Sequence, residues 1–243
     1  MKTKPSLLLS LVITLLIAAN FYIISYMDKA ERAVVIIERI IDGDTLVLDS
    51  GETIRLENIN TPERSEYGYE EAKYFLTQFE NQTVEIEKTG IDKYGRTLAK
   101  LYTHDYLNLE IVKNGFAKKY LVDDSEAKLF AEAEKYAIEN EIGLWKKSEY
   151  FGCIDSEISV KQKIIVLKNS CIINFDNFKL SDESRKSFNF PNLSFTNLNI
   201  RLKEGKTNET DFFITESMLN TERDTLYIFD SNNALAHYHS YGY

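Results

Sequence analysis

Three short polar clusters carry the residue types from which phosphate chemistry can be built. They are Asp42-Gly43-Asp44, then Arg55 followed by Asn60-Thr61-Pro62-Glu63, then Asp92-Lys93-Tyr94-Gly95-Arg96. Carboxylate oxygens hold a hard cation in a loosely shaped shell. The planar fork of an arginine matches two phosphate oxygens and stays charged at any relevant pH. Together these groups supply what metal-assisted phosphodiester cleavage needs, because charge develops on phosphate oxygens as water attacks. No Cys–His pairing suited to covalent catalysis accompanies them, and His104, His237 and His239 all lie outside the clusters. Asn60 fits least well, since an amide oxygen offers a dipole where a carboxylate offers a full charge.

The elements that must position these groups can be read from the periodicity. Ala33 to Ile41 is an apolar strand entering the Asp42-Gly43 turn; Thr45 to Leu48 and Thr53 to Ile59 follow around an Asp49–Glu52 turn. Glu66 to Phe79 changes to a helical period, and Thr83 to Glu87 with Thr97 to Tyr102 form a hairpin around the third cluster. Helices are expected over Tyr106–Lys113 and Asp124–Asn140, before Gly143-Leu144-Trp145, with Trp145 as a core plug. Five short strands with a helix before the fourth fit a small barrel of the OB type. After Lys147 the helical pattern vanishes. Short apolar segments separated by Asn, Ser, Asp and Gly run from Ile164 to Phe229 at the spacing of a β-sandwich. The fold expected is therefore mixed: an α+β OB-fold β-barrel with helices, then an all-β immunoglobulin-like sandwich. The boundaries are an N-terminal segment 1–30, a barrel domain 31–147, a linker 148–157 and a sandwich 158–243.

Formal net charge is −9, and both halves of the body carry more acidic than basic residues. Proteins that live by non-specific DNA affinity are usually basic, because phosphate neutralisation supplies most of that binding. Here the surface reads as solubilising, and only a local arginine pocket would meet an anionic substrate. Lys2 and Lys4 precede an uncharged, mostly apolar run from Leu7 to Met27, about the length of a membrane-spanning helix. It reads as an anchor with an exported body, or, if cleaved after Ala18-Ala19, as the leader of a secreted protein. Cys153 and Cys171 are the only cysteines. They are either one bridge in an oxidising compartment or two idle thiols. His237 and His239 share a strand face by period two and lack a third ligand, so they read as exposed strand-face residues.

Residues 34–145 resemble the staphylococcal-nuclease-like, or thermonuclease, family through the ordered blocks Ile41–Thr45, Ile54–Glu63 and Asp92–Arg96, with the Gly143-Leu144-Trp145 ending. The resemblance implies calcium-dependent hydrolysis of DNA and RNA between phosphorus and the 5′ oxygen, leaving 3′-phosphate ends. Carried over by position, it implies a calcium site of Asp44, the Thr61 carbonyl and Asn60, which stands where the family usually has a second aspartate. Glu63 would orient or deprotonate the attacking water, Arg55 and Arg96 would clamp the phosphate, and Asp42 would shape the cation site. Residues 160–243 resemble the lamin-tail domain through Leu167-Lys168-Asn169, Phe178–Asp182, Phe188–Pro191 and Arg223–Asp230. That module implies anchoring, protein contacts or DNA contacts. The combined reading is a calcium-dependent extracytoplasmic nuclease, membrane-anchored or secreted. The competing reading is a surface-tethered nucleic-acid-binding or adhesion module with little or no turnover.

Overall fold

A computed structural model describes residue 10 and residues 12–18, 32–208, 211–214 and 218–243. The first body is a closed five-stranded barrel, β1 (Ala33–Ile40), β2 (Thr45–Leu48), β3 (Thr53–Leu56), β5 (Thr83–Ile91) and β6 (Thr97–Tyr102), in the order β1-β2-β3-β6-β5. Closure comes from β1 pairing with β5 through Ala33↔Ile86 to Ile36↔Thr83, and β3 meets β6 in parallel. Alternating side chains such as Val84 and Ile86 point inward and join Ile37, Leu46, Ile54 and Leu101 in one core. The expected strand Thr53–Ile59 is divided. Asn58 adopts a left-handed φ of 68°, so the chain turns after Leu56 and restarts as β4 (Ile59–Asn60), paired with β7 (Lys118–Lys119).

Helices α1 (Tyr69–Thr77), α2 (Leu107–Lys113) and α3 (Ala127–Glu139) cover the barrel. All three begin one to three residues later than their periodicity suggests. Gly68, with φ 88°, sets the start of α1 and leaves Tyr67 outside the helix. Trp145 is fully buried as expected, yet the core it plugs is shared: its ring lies 5.3 Å from Tyr227 and 6.2 Å from Phe229, both from the second body.

That second body consists of two four-stranded sheets, β11-β10-β14-β15 and β13-β12-β9-β8, which enclose Ile165, Leu167, Phe175, Leu180, Ile200 and Ile228. Its strands are β8 (Ile154–Ser159), β9 (Ile164–Asn169), β10 (Lys179–Ser181), β11 (Ser187–Asn189), β12 (Asn197–Arg201), β13 (Asp211–Phe213), β14 (Asp224–Phe229) and β15 (Leu235–Tyr241). The sandwich expected from the spacing is present, with one correction at its start. Residues 148–157 are not a free linker. Ile154 to Glu157 belong to β8, and Ser148 is held by its N–H to Leu235 O at 2.9 Å and by its hydroxyl to Asp230 at 2.6 Å. Cys171-Ile172-Ile173 is likewise no strand, since Cys171 bonds to Cys153 and Asn169 turns the chain through Cys171 N–H and C=O.

Most of the leading apolar run lies outside the described residues. Residues 12–18 are helical and exposed, and among the described residues no helix is long and apolar enough to cross a membrane.

Candidate active site

The β1–β2 turn delivers Asp44 to the base of a cleft between the two bodies. Gly43 is required by close approach: a Cβ there would stand 2.8 Å from Ala72 Cβ and 2.9 Å from Thr61 Cβ. With that space closed, Asp44 is fully buried beside Thr61. Its Oδ2 accepts from Thr61 N–H at 3.0 Å and Thr61 Oγ1 at 3.0 Å, and its Oδ1 accepts from Thr45 Oγ1 at 3.0 Å. Asp42 tightens the same turn by accepting Asp44 N–H at 3.0 Å. Burial, then repulsion from Asp44, raises the Asp42 pKa.

Arg55 projects from β3 into this region but not into solvent. Its side chain is 8% exposed, and its donors go to the Leu56 carbonyl, to Ile59 O at 2.8 Å, to Asn60 Oδ1 at 2.6 Å and to Asp44 Oδ2 at 3.1 Å. Burial lowers its pKa, Asp44 opposes that, and the nearby Arg185 and Arg96 add to the lowering. Arg55 thus neutralises Asp44 and fixes the 56–60 turn. Arg96 is better presented. The hairpin turn is organised by Asp92, whose Oδ1 accepts Tyr94 N–H at 2.8 Å and Arg96 N–H at 2.9 Å. Asp92 Oδ2 then holds Arg96 Nε at 2.7 Å, which leaves the 25% exposed guanidinium near Thr45.

Glu63 follows Pro62 at the cleft rim and is 49% exposed. Its partner was not foreseeable from the motifs. The turn between β10 and β11 inserts Arg185, whose Nη1 lies 2.6 Å from Glu63 Oε1 and whose Nη2 lies 3.4 Å from Asp44 Oδ2. The same turn is docked by Asn60 Nδ2, donating to Glu183 O at 3.1 Å, and by Lys118 Nζ, donating to Ser181 Oγ and Asp182 O at 2.9 Å each. Enclosure between the bodies pushes the Lys118 ammonium down to about 8. Structure therefore brings together every residue singled out in the sequence (Asp44, Arg55, Asn60, Thr61, Glu63, Arg96) and adds Arg185 and Lys118. Neither addition had a local signal, since Arg185 meets residues more than a hundred positions away.

Asp44, Asn60 and Thr61 offer oxygens of the kind calcium prefers. As arranged, however, they do not fit a divalent cation. Asp44 Oδ2 already faces two guanidinia and two Thr61 donors, Asn60 Oδ1 faces Arg55, and Glu63 is engaged by Arg185. Among the described residues no three His, Cys, Asp or Glu side chains stand together as a metal cluster. The histidines are also placed: His237 Nε2 and His239 Nδ1 both lie 2.8 Å from Ser156 Oγ. They are half-buried struts between β15 and β8 rather than exposed strand-face residues.

Residues 53–147 match the family model described as staphylococcal nuclease homologue. The chain is 32% identical to a thermonuclease of Staphylococcus intermedius over 127 aligned positions, covering 46% of this chain and 76% of the relative. It is 32% identical to a micrococcal nuclease of Shigella flexneri over 123 positions, covering 44% and 70%. Endonuclease YhcR of Bacillus subtilis is 29% identical over 139 positions, covering 47% of this chain and 11% of that much longer protein. The Arg185 turn lies outside the residues of the family match.

Proposed function

The chain belongs to the staphylococcal nuclease homologue family, and from that premise we propose that it hydrolyses DNA and RNA phosphodiesters to 3′-phosphate products. The observation that carries this reading is the convergence of Asp44, Glu63 and Arg96 from three separate stretches of sequence: Asp44 and Glu63 both meet Arg185, and Asp44 and Arg96 both meet Thr45. Water oxygen bonds to phosphorus, the bond from phosphorus to the 5′ oxygen breaks, and that oxygen leaves with the bonding pair and takes a proton from solvent water. Glu63, whose Oε1 also meets Arg185, orients the water and receives its proton. Arg96, steered by Asp92, meets charge developing on the phosphate. Arg55 holds Asp44 and the Asn60 loop in place.

Calcium dependence is what the family resemblance implies. Asp44, the Thr61 carbonyl and Asn60 would hold the ion only with Arg185 withdrawn. An extracytoplasmic location is supported by the Cys153–Cys171 bridge and by the apolar, exposed helical residues 12–18. Whether the sandwich serves as a lamin-tail-like contact module is a further part of the same proposal. It is supported by the two-sheet architecture.

The competing reading, a nucleic-acid-binding or adhesion module with little turnover, is favoured by one observation: Arg55 and Glu63 are both already engaged. The two separate on one assay. The folded chain is incubated with single-stranded DNA and RNA, in chelator and across a calcium range, and acid-soluble nucleotides and their end groups are measured. Products with 3′-phosphate and 5′-hydroxyl ends support the nuclease; no product under any condition supports the binding module.

A further inference from the structure

The exposed guanidinium nearest Asp44 and Glu63 is not one supplied by the family motifs. Arg55 is 8% exposed and Arg96 25%, whereas Arg185 is 41% exposed and lines the cleft between the two bodies. Arg185 is also oriented. Two carboxylates from different elements, Glu63 at 2.6 Å and Asp44 at 3.4 Å, each take one of its terminal nitrogens. A guanidinium carries five N–H donors, so this anchoring leaves others for a ligand in the cleft. Such an arrangement pre-pays the cost of ordering a long side chain, which is what a phosphate-binding arginine needs.

Charge points the same way. The family resemblance places an aspartate where this chain has Asn60, so one negative charge is missing, and Arg185 adds one positive charge. Those two changes together equal the charge of a divalent cation. They are structurally linked as well: Asn60 Nδ2 donates to the Glu183 carbonyl two residues before Arg185, a bond that an aspartate could not make. Arg55, Arg96 and Arg185 stand close enough that the latter two disfavour the charge on Arg55. Asp44 and Asp42 oppose that effect, so the carboxylates hold the three guanidinia together, and of the three Arg185 is the most exposed to an incoming phosphodiester. Around Arg185 the cleft is lined by Lys118, Lys179 and Lys186, with Tyr67 47% exposed beside them. Basic groups with an exposed aromatic ring suit a single strand, whose backbone follows the charges while a base stacks on the ring.

We propose that Arg185, contributed by the sandwich, is a substrate-contacting residue of the nuclease site that stands in the place of the divalent cation and grips the phosphodiester of a single strand. This rests on the nuclease reading for its substrate, and its test does not require turnover. Binding of a fluorescein-labelled single-stranded phosphorothioate oligothymidylate to the full chain is followed by anisotropy in excess chelator. Comparison is made with Arg185→Ala, Arg185→Lys and, as a control on the far face of the sandwich, Arg201→Ala. Circular dichroism verifies that each variant is folded.

The wild-type chain is expected to bind without any divalent cation. Arg185→Ala should weaken binding at least tenfold, Arg185→Lys should weaken it less, and Arg201→Ala should match wild type. Calcium should restore binding to Arg185→Ala more than it improves wild type, because the variant vacates the place of a cation. Equal affinity of wild type and Arg185→Ala in chelator overturns the proposal. So does faster hydrolysis by Arg185→Ala in calcium with no loss of oligonucleotide affinity, since Arg185 would then be a plug. Arg185-dependent binding with no hydrolysis by any variant leaves the contact standing and removes the nuclease reading instead.

Discussion

Two clusters in this molecule are built from the same parts and face different surroundings. In the cleft, Arg185 of the sandwich lies between Glu63 and Asp44 of the barrel, half open to water. Deeper between the bodies, Lys119 of β7 lies between Glu134 of α3 at 2.5 Å and Glu183 of the β10–β11 turn at 2.9 Å, and it is 1% exposed. Thr225, Tyr227 and Tyr243 close that second cluster with hydroxyl bonds to Lys119 or the two glutamates, at 2.5–2.8 Å. Both clusters set a cation against two carboxylates with at least one pair crossing between the bodies, and both involve the same turn. The sealed cluster leaves no room for a ligand, so its chemistry is spent on holding the two bodies in register. The open cluster keeps donors facing the cleft, so the same ingredients can act on something that enters. Exposure, more than residue type, separates the latch from the site.

Breaking the sealed cluster should produce the largest effect. Lys119→Met removes the one cation shared by Glu134 and Glu183, and leaving buried carboxylates uncompensated costs roughly 3–5 kcal/mol. Urea unfolding should show that loss, and oligonucleotide binding should fall with it, because the turn that carries Arg185 is released. A stability change below about 1 kcal/mol would mean that the latch is dispensable, given that even exposed pairs reach that size.

Asn60→Asp sharpens the comparison at its open end. The substitution deletes the hydrogen bond to Glu183 O and sets a carboxylate against that carbonyl, while restoring an anionic neighbour to Asp44. Loss of one hydrogen bond with a new repulsion is worth on the order of 1–3 kcal/mol. Binding of single strands in chelator should therefore drop by about tenfold or more, since 1.4 kcal/mol is a factor of ten. Calcium binding measured by calorimetry should become tighter. Unchanged values in both would show that this side chain does not decide between the docked turn and the cation.

The smallest expected effect is the pH response of the sandwich. Burial first, and then His239, pushes His237 from 6.5 down to about 4. The folded form therefore disfavours a proton that the unfolded chain accepts, so this contribution is complete above pH 6.5 and is lost as pH falls toward 4. His237 and His239 share the Ser156 hydroxyl oxygen, and Asp155 is the acidic neighbour that partly offsets their repulsion. His237→Gln should flatten urea midpoints between pH 6.5 and 4. A wild-type midpoint constant over that interval would contradict the assignment.

The comparison also marks how far sequence could reach. Asp44, Thr61, Glu63 and Arg96 were legible because each sits in a short turn whose neighbours define it: Gly43 permits the close approach to Thr61, and Asp92 organises its own hairpin through local bonds. The five-stranded barrel was legible from strand spacing and the helix before β5, and its strand order came from the structure. The location of Arg55 was legible, but its burial was not, because that depends on the turn forced by Asn58 and on Ile59 O lying within reach. Arg185 sits in a charged turn with no pattern of its own, and it reaches Glu63 through packing between the bodies, of Trp145 against Tyr227 and Phe229, and through the bonds of Asn60, Lys118 and Lys119 to its turn. The first four residues of β8 were read as linker because Asp155, Ser156 and Glu157 mask the apolar alternation of Ile154 and Ile158.

The most direct measurement of the central claim is end-group analysis of a 5′-labelled single-stranded DNA incubated with folded wild type, Glu63→Gln and Arg96→Ala, in chelator and in calcium. The account predicts 3′-phosphate products from wild type. It predicts rates lower by about 10²–10³ in either variant, the size typical of removing a general base or a transition-state donor. No product from folded wild type under both conditions, or equal rates in all three proteins, would contradict it.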